Sequence, residues 1–206
     1  MSALTTEHFV LQTAASATVS EAAARSSLYV LSLSSSVVAM GFASRSREVF
    51  VPFIATVLPS LFVLGLFTVV RLVDTALENM YCLARIARIR GYYRTLTPDA
   101  AVYFAANSGR WPEGQSESLR LGGFVAFLTT SASMIAFINS LVAGIGVMLL
   151  AGELLVGDQT VVALSFGIAV AGILMVSFLA YQRWRFRLYQ RSEGDSGRDD
   201  ASRRVS

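Results

Sequence analysis

The side chains able to do chemistry lie outside the apolar stretches of this chain. Asp74 and Glu78 stand one helical turn apart, a spacing at which two carboxylates can share a metal ion or divide acid and base roles. Arg71 and Arg85 fall along the same face, and a ladder of ion pairs is the better account of all four. Arg85, Arg88, Arg90 and Arg94 are interleaved with Tyr92 and Tyr93. Guanidinium groups beside aromatic rings suit phosphates and bases, and they suit anionic lipid head groups equally well, so these six residues are the candidate anionic-ligand or lipid contact. A nucleotide is the soluble ligand such a patch would hold, although no motif supports it. Nucleic acid is not an expected partner. His8 has no catalytic or ligand-type neighbour, and Cys82 reads as an ordinary helix residue. One His and one Cys cannot build a Cys/His metal site or a disulfide within one chain. No P-loop, GxGxxG, GxSxG or HExxH pattern occurs. The sequence therefore predicts no enzyme and no cofactor.

The elements that must position these residues are membrane spans. Of 206 residues, 54% are hydrophobic and 15% charged, too few charges to cover a water-facing surface, since soluble domains carry about 25%. Four charge-free runs stand out: 27–44, 50–70, 122–151 and 160–181, of 18, 21, 30 and 22 residues. About 20 apolar residues cross a hydrocarbon core of ~30 Å, so each run is a candidate helix. The third is long enough to tilt or to extend beyond the lipid.

The basic residues give these spans a direction. All seventeen are Arg, and with both termini inside, fifteen fall on the inner side and two, Arg45 and Arg47, on the outer. No Arg separates spans three and four, where Glu153 and Asp158 sit. The positive-inside rule then predicts an N-in, C-in protein of two hairpins. The expected place is the bacterial cytoplasmic (inner) membrane, with both termini cytoplasmic. Glu7 and Glu21 interrupt the first 26 residues, so no cleavable signal is expected and span one serves as the anchor.

The fold class expected is all-α and polytopic, with helical cytoplasmic extensions. Its parts are a cytoplasmic N-terminal helix (1–26), a first transmembrane hairpin (27–70), a cytoplasmic helix and connecting loop (71–121), a second hairpin (122–181), and a basic anchor with a disordered tail (182–206). Leu4 to Arg25 contains neither Gly nor Pro, and Val10, Leu11, Ala14, Ala15 and Ala22 recur at helical spacing. The helix of span two has no stop signal before Thr97-Pro98. Its extension carries Val73, Leu77, Met80, Ala84 and Ala87 on one face, for which the N-terminal helix is the natural partner. Some 24 residues at ~1.5 Å each would project roughly 36 Å as a stalk, unless the helix bends along the membrane. Pro98-Asp99 starts a short helix, and Asn107 to Ser118 reads as loop. After span four, Arg183, Trp184, Arg185 and Arg187 form an interface anchor, with the Trp at head-group level.

No Asp, Glu, Arg or His lies in the four runs, which weighs against pumps and ion-coupled transporters. What the runs hold is small residues at packing intervals: Ser32, Ser36, Ala39 and Ala43 in the first; Ser133, Ala136, Ser140 and Ala143 in the third; Ala163, Gly167 and Ala171 in the fourth, with Gly172 nearby. Small residues in register let helices approach closely, within one bundle or between subunits, and hydroxyls can bond across the contact. Asn139 is the one carboxamide within a run, so it must face protein or a wet cavity. An inter-helix hydrogen bond is its simpler use; a ring of Asn139 around an oligomeric pore is the functional alternative. Pro52 is harmless at the first turn, whereas Pro59 is expected to kink span two.

Two stretches carry a resemblance, TVSEAAARSSLYVLSLSSSVVAM (18–40) and FTVVRLVDTALENMYCLARIARIRGYYRTL (67–96). With a second hairpin ending in AYQRWRFRLYQR, they resemble uncharacterised small four-span integral membrane proteins of high-GC bacteria. More distantly, the order of inner helix, Ser-rich span, second span and long basic helix is similar to the SLATT-type hairpin effectors. That likeness implies membrane pores in nucleotide-signalled bacterial defence; the second hairpin and the lack of a linked sensor domain depart from the pattern. The expectation from the residues themselves is a non-enzymatic oligomeric scaffold or accessory component in the bilayer, meeting itself or a membrane partner protein. A pore-forming or membrane-perturbing effector is the alternative, and a passive channel a third.

Overall fold

The computed structural model describes residues 2–96, 130–154 and 160–205. These contain four helices and no strand: α1 Ser2–Ala43, α2 Arg47–Leu96, α3 Ser131–Leu154 and α4 Thr160–Val205. All four are long and apolar enough to cross a membrane. The expected short helix at 98–105, the loop at 107–118, and residues 122–129 of the third run lie outside the described residues, as do Arg110, Arg120 and Asp158.

Local chemistry explains the helix bounds. α1 has no Pro and no Gly before Gly41, so nothing interrupts it from the N-terminal helix into the first apolar run. Three residues, 44–46, turn the chain into α2. Ser44 closes the end of α1 with its N–H on the Met40 carbonyl (2.9 Å) and its hydroxyl on that of Gly41 (2.8 Å). The Ser46 carbonyl then accepts from Val49 (3.1 Å) and Phe50 (2.8 Å), opening α2 at an N-cap serine. α2 runs through Pro52 and Pro59 as one element. Ala55, whose carbonyl loses its usual donor at Pro59, is exposed together with that proline, so the defect faces away from the packed side. α4 continues to Val205, where a disordered tail was expected beyond Arg191. No proline follows the fourth run to stop the helix already under way.

The chain divides into two compact units. The first comprises 1–27 and 74–131. Within it α1 and α2 pack antiparallel, Thr5 and Tyr93 meeting through their hydroxyls at 3.4 Å while Leu11 clusters with Cys82, Ile86 and Ile89. The packed positions alternate intervals of three and four: Leu4, His8, Leu11, Ala15, Thr18 and Ala22 on α1, and Thr75, Asn79, Cys82, Ile86, Ile89 and Tyr93 on α2. That is the spacing of a coiled-coil seam. The seam corrects the expected apolar faces. Val10 is exposed, and Leu11 clusters with Cys82, Ile86 and Ile89 rather than with Leu77, Met80, Ala84 and Ala87, which are half-buried as Ile89 is; the two isoleucines offer more apolar surface than the two alanines.

The second unit comprises 28–73 and 132–206. Ile54, Leu58, Leu61 and Val142 form its apolar core, with Leu33 and Met40 of α1 and Phe53, Ile138 and Leu149 packed around them. α3 is the most enclosed helix, exposing a narrow stripe of Met134, Phe137, Leu141 and Ile145. It meets α4 at two glycines. A Cβ on Gly167 would lie 2.6 Å from the Gly144 carbonyl oxygen and 3.0 Å from Met148 Cβ. A Cβ on Gly144 would lie 2.9 Å from Ala171 Cβ. The two backbones touch because neither residue carries a side chain.

Gly167→Val is therefore expected to cost about 2 kcal/mol or more of helix association. Gly172→Val, on the same helix but facing open space, should be neutral. Thermal melts of the two variants in lipid nanodiscs check the contrast, and equal melting temperatures would refute the crossing.

Candidate functional site

The polar centre of the second unit is built from three helices. Tyr29, fully buried near the start of the first apolar run, donates its hydroxyl to Asn139 Oδ1 at 3.2 Å. Asn139 Nδ2 donates in turn to the Phe62 carbonyl of α2 at 3.2 Å. Gly65, one turn beyond Phe62, makes the space. A Cβ built there would collide with the Asn139 carboxamide and come within 2.8 Å of Tyr29 Cε2. One side chain thus clips α1, α2 and α3 together, and the single glycine of the second apolar run is what lets the clip close.

A second polar bridge joins α3 to α4, where buried Ser133 donates to Gln182 Oε1 at 3.1 Å. The other hydroxyls mostly turn back on their own helices, bonding the carbonyl four residues earlier. Ser32 bonds Leu28, Ser35 bonds Leu31, Ser60 bonds Thr56, Ser140 bonds Ala136 and Ser165 bonds Val161, each at 2.8 Å. Of the hydroxyls expected to cross between helices, Ser32 and Ser140 instead satisfy themselves, and Ser133 crosses. A hydroxyl engaged in this way can sit against an apolar neighbour without an orphaned donor.

The small-residue positions fall where helices approach. Ser133, Ser140, Ala136 and Ala163 are buried, Gly167 lies at the α3–α4 contact, and Ser32, Ser36 and Ala171 are half-buried. The interface-anchor residues extend from Gln182. Trp184 is exposed beside Tyr181, with ring centroids 6.3 Å apart, and Arg183 and Arg187 are exposed while Arg185 is half-buried.

The Arg/Tyr cluster does not converge on one face. Arg85 lies over the Tyr81 ring at 4.4 Å and shares the exposed side of α2 with Arg88 and Tyr92. Arg90, Tyr93 and Arg94 are half-buried on the other side, where Tyr93 meets Thr5 of α1. Arg71, Asp74 and Glu78 each make polar or electrostatic contacts, and among the described residues no three His, Cys, Asp or Glu side chains gather as a metal site would require.

Sequence reasoning singled out Asn139 but not Tyr29, Gly65, Gly144 or Gln182. The available signals were a lone tyrosine in the first run, a lone glycine in the second, and a glutamine at the edge of the fourth. No protein-family model matches the chain, and no curated protein or solved structure is similar to it.

The clip makes a quantitative expectation. A double-mutant cycle of Tyr29→Phe and Asn139→Leu, followed by unfolding in bilayers, should give a coupling energy of about 0.5–1.7 kcal/mol. Gly65→Leu should destabilise more than either single change, and a coupling near zero would show that the two side chains do not bond.

Proposed function

We propose that this chain is a non-enzymatic, oligomeric scaffold or accessory component of the bacterial cytoplasmic membrane. The observation that carries the reading is the engagement of its buried polar side chains with one another. Tyr29, Asn139 and the Phe62 carbonyl, and Ser133 with Gln182, bond within one protomer. Transport sites need polar groups at membrane depth that remain available to a substrate or ion. Here the apolar runs are free of ionisable residues, and the central carboxamide is already held from two sides.

The four apolar helices support membrane insertion, and the arginine distribution favours two hairpins with both termini cytoplasmic. Oligomerisation is supported by uneven burial. In the most apolar window of each helix, 33% and 39% is buried in α2 and α3, against 11% in α1 and in α4. Leu28, Leu31, Val37, Val38 and Phe42 of α1, and Val161, Phe166, Ile168, Ile173 and Val176 of α4, are exposed. Lipid covers such surfaces readily, and so does a second copy or a membrane partner. Chemical crosslinking in native membranes, followed by mass measurement of the detergent-free particle, should yield a discrete multimer or a defined complex. A lone monomer with no crosslinked partner would end this reading.

The effector reading rests on the same weak burial of α1, which leaves its hairpin loosely held and open to rearrangement between copies. It carries the likeness to SLATT-type architecture with it. Purified protein in liposomes tests it through release of an encapsulated dye. The scaffold reading expects no leakage above the empty-liposome rate at any protein density, with or without added nucleotide; graded, density-dependent leakage would replace it with the effector reading.

A further inference from the structure

The first unit contains a cleft of about 740 Å³ along one side of its helix pair. α1 lines it with His8, Gln12, Ser16 and Ser20, and α2 with Asn79 and Arg90; Ala15, Val19, Leu83 and Ile86 complete the wall. The α1 residues recur at intervals of three and four, as do Asn79, Leu83, Ile86 and Arg90 on α2, so each helix gives the cleft one continuous face. From His8 to Ser20 the cleft runs roughly 18 Å at ~1.5 Å per residue.

Because the helices are antiparallel, the lining sorts itself by chemistry along that length. The pairing of Thr5 with Tyr93 puts His8 and Arg90 at one end. Ala15, Leu83 and Ile86 occupy the middle together with Ser16, and Val19, Ser20 and Asn79 fall together at the far end. Among the described residues that line the cleft there is no carboxylate. Glu21, next to Ser20, is paired with Arg25 at 2.8 Å. A guanidinium, an imidazole and the Gln12 amide at one end form a set of donors suited to a phosphoryl group. The volume lies in the range of about 300–1,000 Å³ typical of small-molecule sites, which combine an apolar wall with a few polar groups.

We infer that this cleft binds an elongated organic phosphate, with the phosphoryl group at His8, Gln12 and Arg90 and an apolar body along Ala15, Val19, Leu83 and Ile86. Ser20 and Asn79 offer hydrogen bonds to the far end of the ligand. The ligand reaches the site either from solution or as a lipid head group, since both present the same chemistry. This site is independent of the scaffold reading, because it needs neither a second copy nor a partner protein.

Isothermal titration of the full chain in phosphatidylcholine nanodiscs tests it, with phenyl phosphate and inorganic phosphate as probes. Phenyl phosphate should bind, and about tenfold more tightly than inorganic phosphate, because only it reaches the apolar wall. Arg90→Gln should weaken phenyl phosphate binding by about tenfold or more. Ser16→Trp is the second variant. Ser16 is an exposed residue of the cleft, so the indole fills the site without entering the core, and binding should be lost while the melting temperature stays unchanged. Repeating the titration in discs containing about one-fifth phosphatidylglycerol separates the sources. Weakened phenyl phosphate binding supports a lipid head group as occupant, and unchanged binding supports a soluble one. Absence of phenyl phosphate binding in phosphatidylcholine overturns the proposal. So does equal affinity for the two probes, or binding that survives Ser16→Trp.

Discussion

A polar side chain enclosed among apolar ones has no water to turn to, and the second unit is organised around that constraint. Asn139 brings a carboxamide into the middle of an otherwise apolar helix, where leaving it unpaired costs several kcal/mol. Its oxygen is taken by Tyr29 and its N–H by the Phe62 carbonyl, so α1 and α2 are both tied to α3 through one side chain. Gly65 follows from the same need, since a methyl group there would occupy the volume of the carboxamide. Among helices this apolar, such bonds and close backbone contacts set the arrangement. The glycine crossing of α3 with α4 and the Ser133–Gln182 bridge extend the same logic to the fourth helix.

The first unit is held in another way. Its helices meet along a seam in which Leu11, Cys82, Ile86 and Ile89 supply the apolar contact. The three-and-four spacing recurs among the packed positions of the second unit, at Tyr29, Ser32, Ser36, Ala39 and Ala43 of α1 and at Ile54, Leu58, Leu61, Gly65, Thr68 and Leu72 of α2. Composition along this common spacing differs between the two units. Small and hydroxyl residues fill the α1 positions of the second unit, whereas His8, Asn79 and Tyr93 bring polar groups into the first.

Much of the fold was legible because it is local. Charge-free runs identify the helices, and the absence of Gly and Pro carries α1 and α2 beyond the apolar segments. That Asn139 must find a partner also follows from the residue alone. Its partners do not, since Tyr29 lies 110 residues away and a backbone carbonyl leaves no trace in sequence. The packed face of the α2 extension is two positions along from the expected one for a similar reason. Two faces with the same spacing competed, and the larger surface of Ile86 and Ile89 decided between them. The Arg/Tyr cluster looked like one patch because its members are adjacent in sequence, while a helix at about 100° per residue sends neighbours to different sides.

The central claim is that the polar interior of the second unit is closed on itself. Water-edited solid-state NMR of side-chain ¹⁵N-labelled asparagine in lipid bilayers reads this directly at Asn139. Dry closure predicts no magnetisation transfer from water to the Asn139 Nδ2 protons, and a chemical shift that moves on Tyr29→Phe. Strong transfer from water to that amide would mean that Asn139 faces a wet path, and would contradict the account.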